Sequence, residues 1–129
     1  MLAVDTNVVV RFLTRDDPKQ SPLARTFVER NEVHLLSTVL LECEWVLRSA
    51  YRLLPPEIAS LLRQFAGLPG VSVEQPEAVV QALDWFEQGM DFADALHLAS
   101  CADGDTFVTF DRHLHASMRK AKTRKTRLL

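Results

Sequence analysis

The sequence predicts a single α/β domain: a mainly parallel sheet with helices on both faces. Three observations carry this expectation. Short apolar runs suited to buried strands recur at residues 2–4, 33–36, 71–73 and 106–110. Between them lie longer segments whose apolar residues repeat at helical spacing. Strands that alternate with helices pair in parallel, because each crossover helix returns the chain to the same side of the sheet. At 129 residues the chain suits one domain, residues 1–129, burying about 65–70% of the surface its unfolded form exposes.

Taken in order, Leu2-Ala3-Val4 is expected as a short buried strand ending at Asp5. Val8-Val9-Val10-Arg11-Phe12-Leu13 follows as a short helix despite its β-branched content. Asp16-Asp17-Pro18 and Ser21-Pro22 mark a turn and a helix start, with proline where a first turn tolerates it. The stripe of that helix is Leu23, Phe27 and Val28, and it ends near Asn31. Val33-His34-Leu35-Leu36 is a second strand. Ser37 or Thr38 then caps a long helix running to about Leu53, which carries Val39, Leu40, Cys43, Val46, Leu47 and Ala50 inward. Pro55-Pro56 stops it and opens the next, 57–68, striped by Ile58, Leu61, Leu62 and Phe65. After the Pro69-Gly70 turn comes a minimal strand, Val71-Ser72-Val73. Pro76 opens a helix with Val79, Val80, Leu83 and Phe86 inward, and Gly89 ends it as glycine does just past a helix. Asp91 starts a helix apolar on most sides. Thr106–Phe110 reads as a buried strand ending at Asp111, and a last helix with a basic tail at about 117–129 completes the chain.

Composition excludes several classes. The 47% hydrophobic share and ordinary charge content fit a globular chain. No apolar run approaches the roughly 20 residues that cross a bilayer, and Asp5 interrupts the only candidate for a secretory leader. A cytoplasmic protein without a membrane partner is therefore expected, with Cys43 and Cys101 as small buried hydrophobes in a reducing compartment. The formal charge of −2 hides an asymmetry: after Asp111 there is no acid, while Arg112, Arg119, Lys120, Lys122, Arg124, Lys125 and Arg127 follow. A basic end of this kind suits phosphate handling, and equally a disordered tail.

Chemistry concentrates in the acids. Asp91 and Asp94 lie three apart at a helix start, hence on one face. Like charges 4 Å apart repel by about 4 kcal/mol at an effective dielectric near 20, and a bound cation is the simplest remedy. The plainer alternative, Asp91 as helix cap with Asp94 solvated in the first turn, stays open. In parallel sheets ligands bind outside the carboxyl ends of the strands. Asp5 and Asp111 end strands, Asp94 starts the helix that feeds the last strand, and Glu42 lies one turn into the helix after the second. Each has its own alternative: Asp5 and Asp111 as caps, Glu42 as a half-exposed surface residue. Carboxylates suit Mg²⁺ or Mn²⁺ over zinc. The histidines are scattered, with His34 and His97 expected in or under the core and His113 and His115 at the surface.

Four segments, Val4-Asp5-Thr6-Asn7-Val8, Leu41-Glu42-Cys43-Glu44-Trp45-Val46-Leu47, Phe92-Ala93-Asp94-Ala95-Leu96 and Thr109-Phe110-Asp111, span essentially the whole chain. In this order they resemble PIN-domain ribonucleases of the VapC toxin type. The resemblance implies a PIN-like fold and a Mg²⁺- or Mn²⁺-dependent endoribonuclease, normally homodimeric and held inactive by a cognate VapB-like antitoxin. Such proteins cut structured RNAs, initiator tRNA among them. Carried over residue by residue, the catalytic and metal-binding acids are Asp5, Glu42, Asp94 and Asp111, with Asp91 in second rank. Asn7 and Thr109 match polar positions that orient ligands or water. A metal-activated water then attacks phosphorus and leaves a 5′-phosphate and a 3′-hydroxyl. Arg11, Arg15, Arg112 and Arg119 are candidate phosphate contacts, or ordinary solvated surface. Leu40, Leu41, Trp45, Leu53 and Leu54 offer apolar surface for a dimer, with Trp45 alternatively completing the core.

Three rivals are weighed against this. A receiver-like signalling domain wants an acid pair at the first strand end, where this chain has Asp5-Thr6-Asn7, and a lysine where it has Arg112. A haloacid-type phosphatase needs a second aspartate at the place of Asn7. A non-catalytic RNA- or partner-binding module would tolerate lost acids, and none is lost here.

Overall fold

Four strands form where the short apolar runs stand and a fifth forms in the basic tail, and every strand pairing among the described residues is parallel. The computed structural model describes residues 1–121 and 123–129. Lys122 of the basic tail lies outside them. The chain packs as two units, Met1–Pro76 and Glu77–Leu129.

In the first unit β1 (Leu2–Ala3), β2 (Val33–Leu35) and β3 (Val71–Val73) form a sheet in that order. Leu2 faces Val33, and Val33 faces Val71. The helices are α1 (Thr6–Thr14), α2 (Gln20–Arg30), α3 (Ser37–Ser49) and α4 (Pro55–Ala66). Buried residues on them recur at helical spacing: Val9, Val10 and Phe12 on α1, Leu40, Cys43 and Leu47 on α3, Ile58, Leu62 and Phe65 on α4. Phe12 and Phe65 meet edge to face with ring centres 5.4 Å apart. Each fully buried Leu or Phe contributes about 1.5–3 kcal/mol. Proline at the first position of α4 costs no hydrogen bond, and Glu57 Oε1 accepts the Leu54 N–H at 3.2 Å.

Several details differ from expectation. Leu2 and Ala3 are exposed and Val4 alone is buried, because β1 stands at the edge of the three-stranded pairing. The buried stripe of α2 is Ser21, Ala24 and Val28; Leu23 and Phe27 face outward. Leu36, not Ser37 or Thr38, is the N-cap of α3, and the Ser37 N–H is satisfied from β3's end by Glu74 Oε1 at 3.1 Å. That helix stops at Ser49, short of Leu53, where Arg52 turns the chain with φ 55°. Ala50 is consequently exposed. Glu44 is only 3% exposed, and Arg48 one turn on compensates it through Nε–Oε2 at 2.8 Å.

The second unit holds α5 (Pro76–Glu87) from Glu77 on, α6 (Phe92–Ala99), β4 (Thr106–Thr109), α7 (Arg112–Ala121) and β5 (Lys125–Leu128). Gly89, at φ 108°, ends the α5 region as its position predicts. Trp85 and Ala82 fill the buried face of α5, and Val80 is exposed. Phe86 and Phe92 meet edge to face at 5.3 Å. β4 is not the buried strand expected: its residues alternate, and Val108 is 49% and Phe110 80% exposed. The basic end also carries structure. β5 pairs with β4 over Thr106↔Lys125 to Thr109↔Leu128, making β4-α7-β5 a crossover unit. Among the described residues no helix is long and apolar enough to cross a membrane.

Candidate active site

In the first unit Asp5 caps α1: its Oδ1 accepts the Thr6 N–H at 2.8 Å. A helix N-terminus favours this charge through its dipole. Glu42 is exposed on α3, and its Oε1 accepts the hydroxyl of buried Thr6. One threonine thus ties both acids, by its amide to Asp5 and by its side chain to Glu42. The Cys43 thiol is pushed up to about 12, first by burial and then by the charges of Glu42 and Asp5. Both carboxylates therefore act on one small region. Thr6 is the residue the sequence reading passes over; its signal is a polar side chain among valines at a helix start, with a hydroxyl that needs a partner.

Asn7 is exposed and, with Val8, Arg11, Gln20, Leu23, Ala24 and Phe27, lines a cleft of about 420 Å³ along α1 and α2. Arg11 is engaged within the fold. Its Nε donates to Gln20 Oε1 at 2.9 Å, and its Nη1 to Asp16 Oδ1 and the Tyr51 hydroxyl, both at 3.2 Å. Thr14 and then Tyr51, each donating at 2.7 Å, hold the Asp16 carboxyl below its ordinary range.

In the second unit Asp91 is the N-cap of α6, its Oδ2 accepting the Asp94 N–H at 3.1 Å. Asp94 is half-buried in the first turn. Its carboxyl is raised, first by burial and next by Asp91; Asp111 adds to the rise and His97 opposes it. His97 is exposed, against the expectation of a core or subsurface histidine, because the α6 stripe of Phe92, Ala95, Leu96, Leu98 and Ala99 turns it outward. Asp111 receives the Leu114 N–H on Oδ1 at 2.9 Å, and its own N–H donates to Thr109 Oγ1 at 3.0 Å. Thr109 thereby fixes the backbone at Asp111. His34 pairs with Ser72 at 2.7 Å and His115 with Thr126 at 2.9 Å, so both are satisfied within the fold.

The capping alternatives for Asp5, Asp91 and Asp111 are thus realised, and a cap engages one carboxylate oxygen without removing the charge. Among the described residues no three His, Cys, Asp or Glu groups stand together closely enough to hold a metal ion. Within the first unit Thr6 links Asp5 to Glu42, and within the second the charges of Asp91 and Asp111 act on Asp94. The chemistry of these carboxylates fits a hard divalent cation such as Mg²⁺ or Mn²⁺, which takes oxygen donors. The like charge that raises Asp94 is of the kind a cation relieves.

The model of one family, the PIN domain, matches residues 2–120. The chain belongs to the PIN domain family. PIN domains are nuclease-type folds that generally depend on divalent metals and act on nucleic acid. The α/β class and parallel pairing expected from the alternation of elements are those of this PIN domain. No curated protein matches the chain.

Proposed function

We propose that this PIN domain is a Mg²⁺- or Mn²⁺-dependent endoribonuclease, the toxin of a VapC-type toxin–antitoxin pair acting in the cytoplasm. Its catalytic acids are Asp5, Glu42, Asp94 and Asp111, with Asp91 in second rank. The observation that carries the reading is Asp94: a half-buried carboxyl raised by burial and by two neighbouring aspartates, in a PIN chain, at a helix start. Carboxyls raised by burial and by like charge cluster at functional sites.

The residues proposed to hold divalent metal are Asp5, Glu42, Asp94 and Asp111, with Asp91 in second rank. When bound, the metal supplies Lewis acidity at the scissile phosphate and makes a water acidic enough to attack. The chain's own part is orientation. Thr6 holds Glu42, Thr109 holds the backbone of Asp111, and the caps fix Asp5 and Asp91. Side chains locked this way before substrate arrives lose little freedom in the reaction. Hydrolysis by water leaves a 5′-phosphate and a 3′-hydroxyl. Brief expression of the free protein, followed by sequencing of 5′-phosphorylated RNA ends, is expected to reveal a small set of cuts in structured RNA such as tRNA. RNA that binds the protein and is never cut would assign a binding module instead.

The same reading includes a homodimer and an antitoxin. Trp45, three residues after Glu42, is 58% exposed and so does not complete the core. Leu54 is exposed too, and Leu41 and Leu53 are half-buried, whereas Leu40 is fully buried and drops out of the surface. Aromatic residues so exposed are enriched at interfaces. The proposed two-fold dimer uses this surface, and the antitoxin brings an apolar segment beside Trp45 and a basic side chain to the acids. Light scattering is expected to find a dimer in the parent that Trp45→Ser weakens. A monomer at every concentration, with or without the antitoxin, would contradict it.

A further inference from the structure

The β4–β5 pair has two unlike faces. Phe107, Thr109, Thr126 and Leu128 are half-buried, and Thr126 meets His115 of α7. On the other face Thr106, Val108, Lys125 and Arg127 are exposed, and Phe110, just past the end of β4, is exposed as well. The parallel register sets Thr106 beside Lys125 and Val108 beside Arg127. Val108 and, just past β4, Phe110 are thus exposed apolar side chains near the basic Lys125 and Arg127 of β5. No residue of either strand is acidic, and no acid follows Asp111 in the sequence. The nearby Asp103 is paired with Arg124 at 2.9 Å.

We propose that this face binds single-stranded nucleic acid, its phosphates running along Lys125 and Arg127 and one base stacking on Phe110, the residue beside Asp111. The proposal rests on the ribonuclease reading above and adds to it a surface that delivers the strand to one of the acids. Residues two apart on a strand are separated by about 6.6 Å, comparable to successive phosphates of an extended single strand. A cationic track beside an aromatic platform is how single strands are held without reading their sequence. An 80% exposed phenylalanine offers its ring to a base at no cost in rearrangement. Charge complementarity selects the occupant: β4 and β5 carry exposed cations and no acid, and a nucleic-acid backbone is anionic.

The test is fluorescence polarisation of the full chain with a short labelled oligouridylate in EDTA, over a range of salt, beside an RNA duplex. The parent is expected to prefer the single strand and to weaken as salt rises. Lys125→Gln with Arg127→Gln is expected to reduce the log–log salt slope by about 1.4, roughly 0.7 per phosphate contact. Phe110→Ala is expected to weaken binding about fivefold or more with the slope unchanged. Should the double variant unfold, Phe110→Ala, at an exposed position, decides alone. Unchanged binding in these variants, preference for the duplex, or self-association that Phe110→Ala abolishes while RNA binding persists would overturn the proposal. Because cleavage is silent in EDTA, the two readings separate. Strand binding lost in the variants by a protein that never cuts RNA refutes only the ribonuclease. Cutting by a protein whose RNA binding ignores the variants refutes only the surface.

Discussion

Asp94→Asn is expected to slow RNA hydrolysis by about 10²–10³-fold, the scale for removing one preorganised electrostatic group, and to make the metal-free protein more stable. The sign follows from the direction of its shift. The folded-state value lies above the ordinary 3.8, so ionising Asp94 costs the native state more than the unfolded chain. That cost is absent below 3.8, where both states are protonated. It sets in as pH rises between the two values and is constant above the folded one. In EDTA the asparagine variant should therefore melt above the parent at pH 7, and the gain should vanish on acidification below 3.8. With Mg²⁺ the order reverses. The parent gains by mass action, about 2.7 kcal/mol at a hundredfold excess over the dissociation constant, and the variant loses most of that gain. A variant with the parent's full Mg²⁺-dependent shift would remove Asp94 from the proposed ligands.

Phe92→Ala is expected to produce the largest loss of stability, about 3–5 kcal/mol. Phe92 is fully buried, opens α6 between Asp91 and Asp94, and meets Phe86 edge to face. Against a total stability of about 5–15 kcal/mol, this should lower the melting temperature by about 10–20 °C. The same substitution at exposed Phe110 should leave it nearly unchanged. Thermal melts followed by circular dichroism check both. A small drop at Phe92 would mean that α6 is held by something other than this ring pair, and that the two aspartates it positions are loosely held.

Much of this was legible in the residues. Proline and glycine marked the start of α4 and the end of α5, because a ring without an N–H and a residue free to take φ 108° each fit one kind of position. The acids were legible as residues that a helix start or a strand end must account for. What was not legible had a physical reason each time. β5 was hidden by composition: Lys125-Thr126-Arg127-Leu128 alternates with a period of two, but only two of its four residues are half-buried. On α2 the small residues Ser21 and Ala24 took the inward positions that Leu23 and Phe27 were expected to hold. Hydrophobicity alone misplaces a helix where close approach selects for size. Thr6 was missed because a hydroxyl's partner, here Glu42, lies 36 residues away, beyond the reach of local spacing.

The most direct test of the central claim is the chemistry of the ends left on RNA by the purified full chain, with Mg²⁺ and with EDTA. A water-driven, metal-dependent endoribonuclease leaves 5′-phosphate and 3′-hydroxyl ends in Mg²⁺ and no cuts in EDTA. Cleavage that persists in EDTA, or that leaves 2′,3′-cyclic phosphates through attack by the ribose hydroxyl, would contradict it.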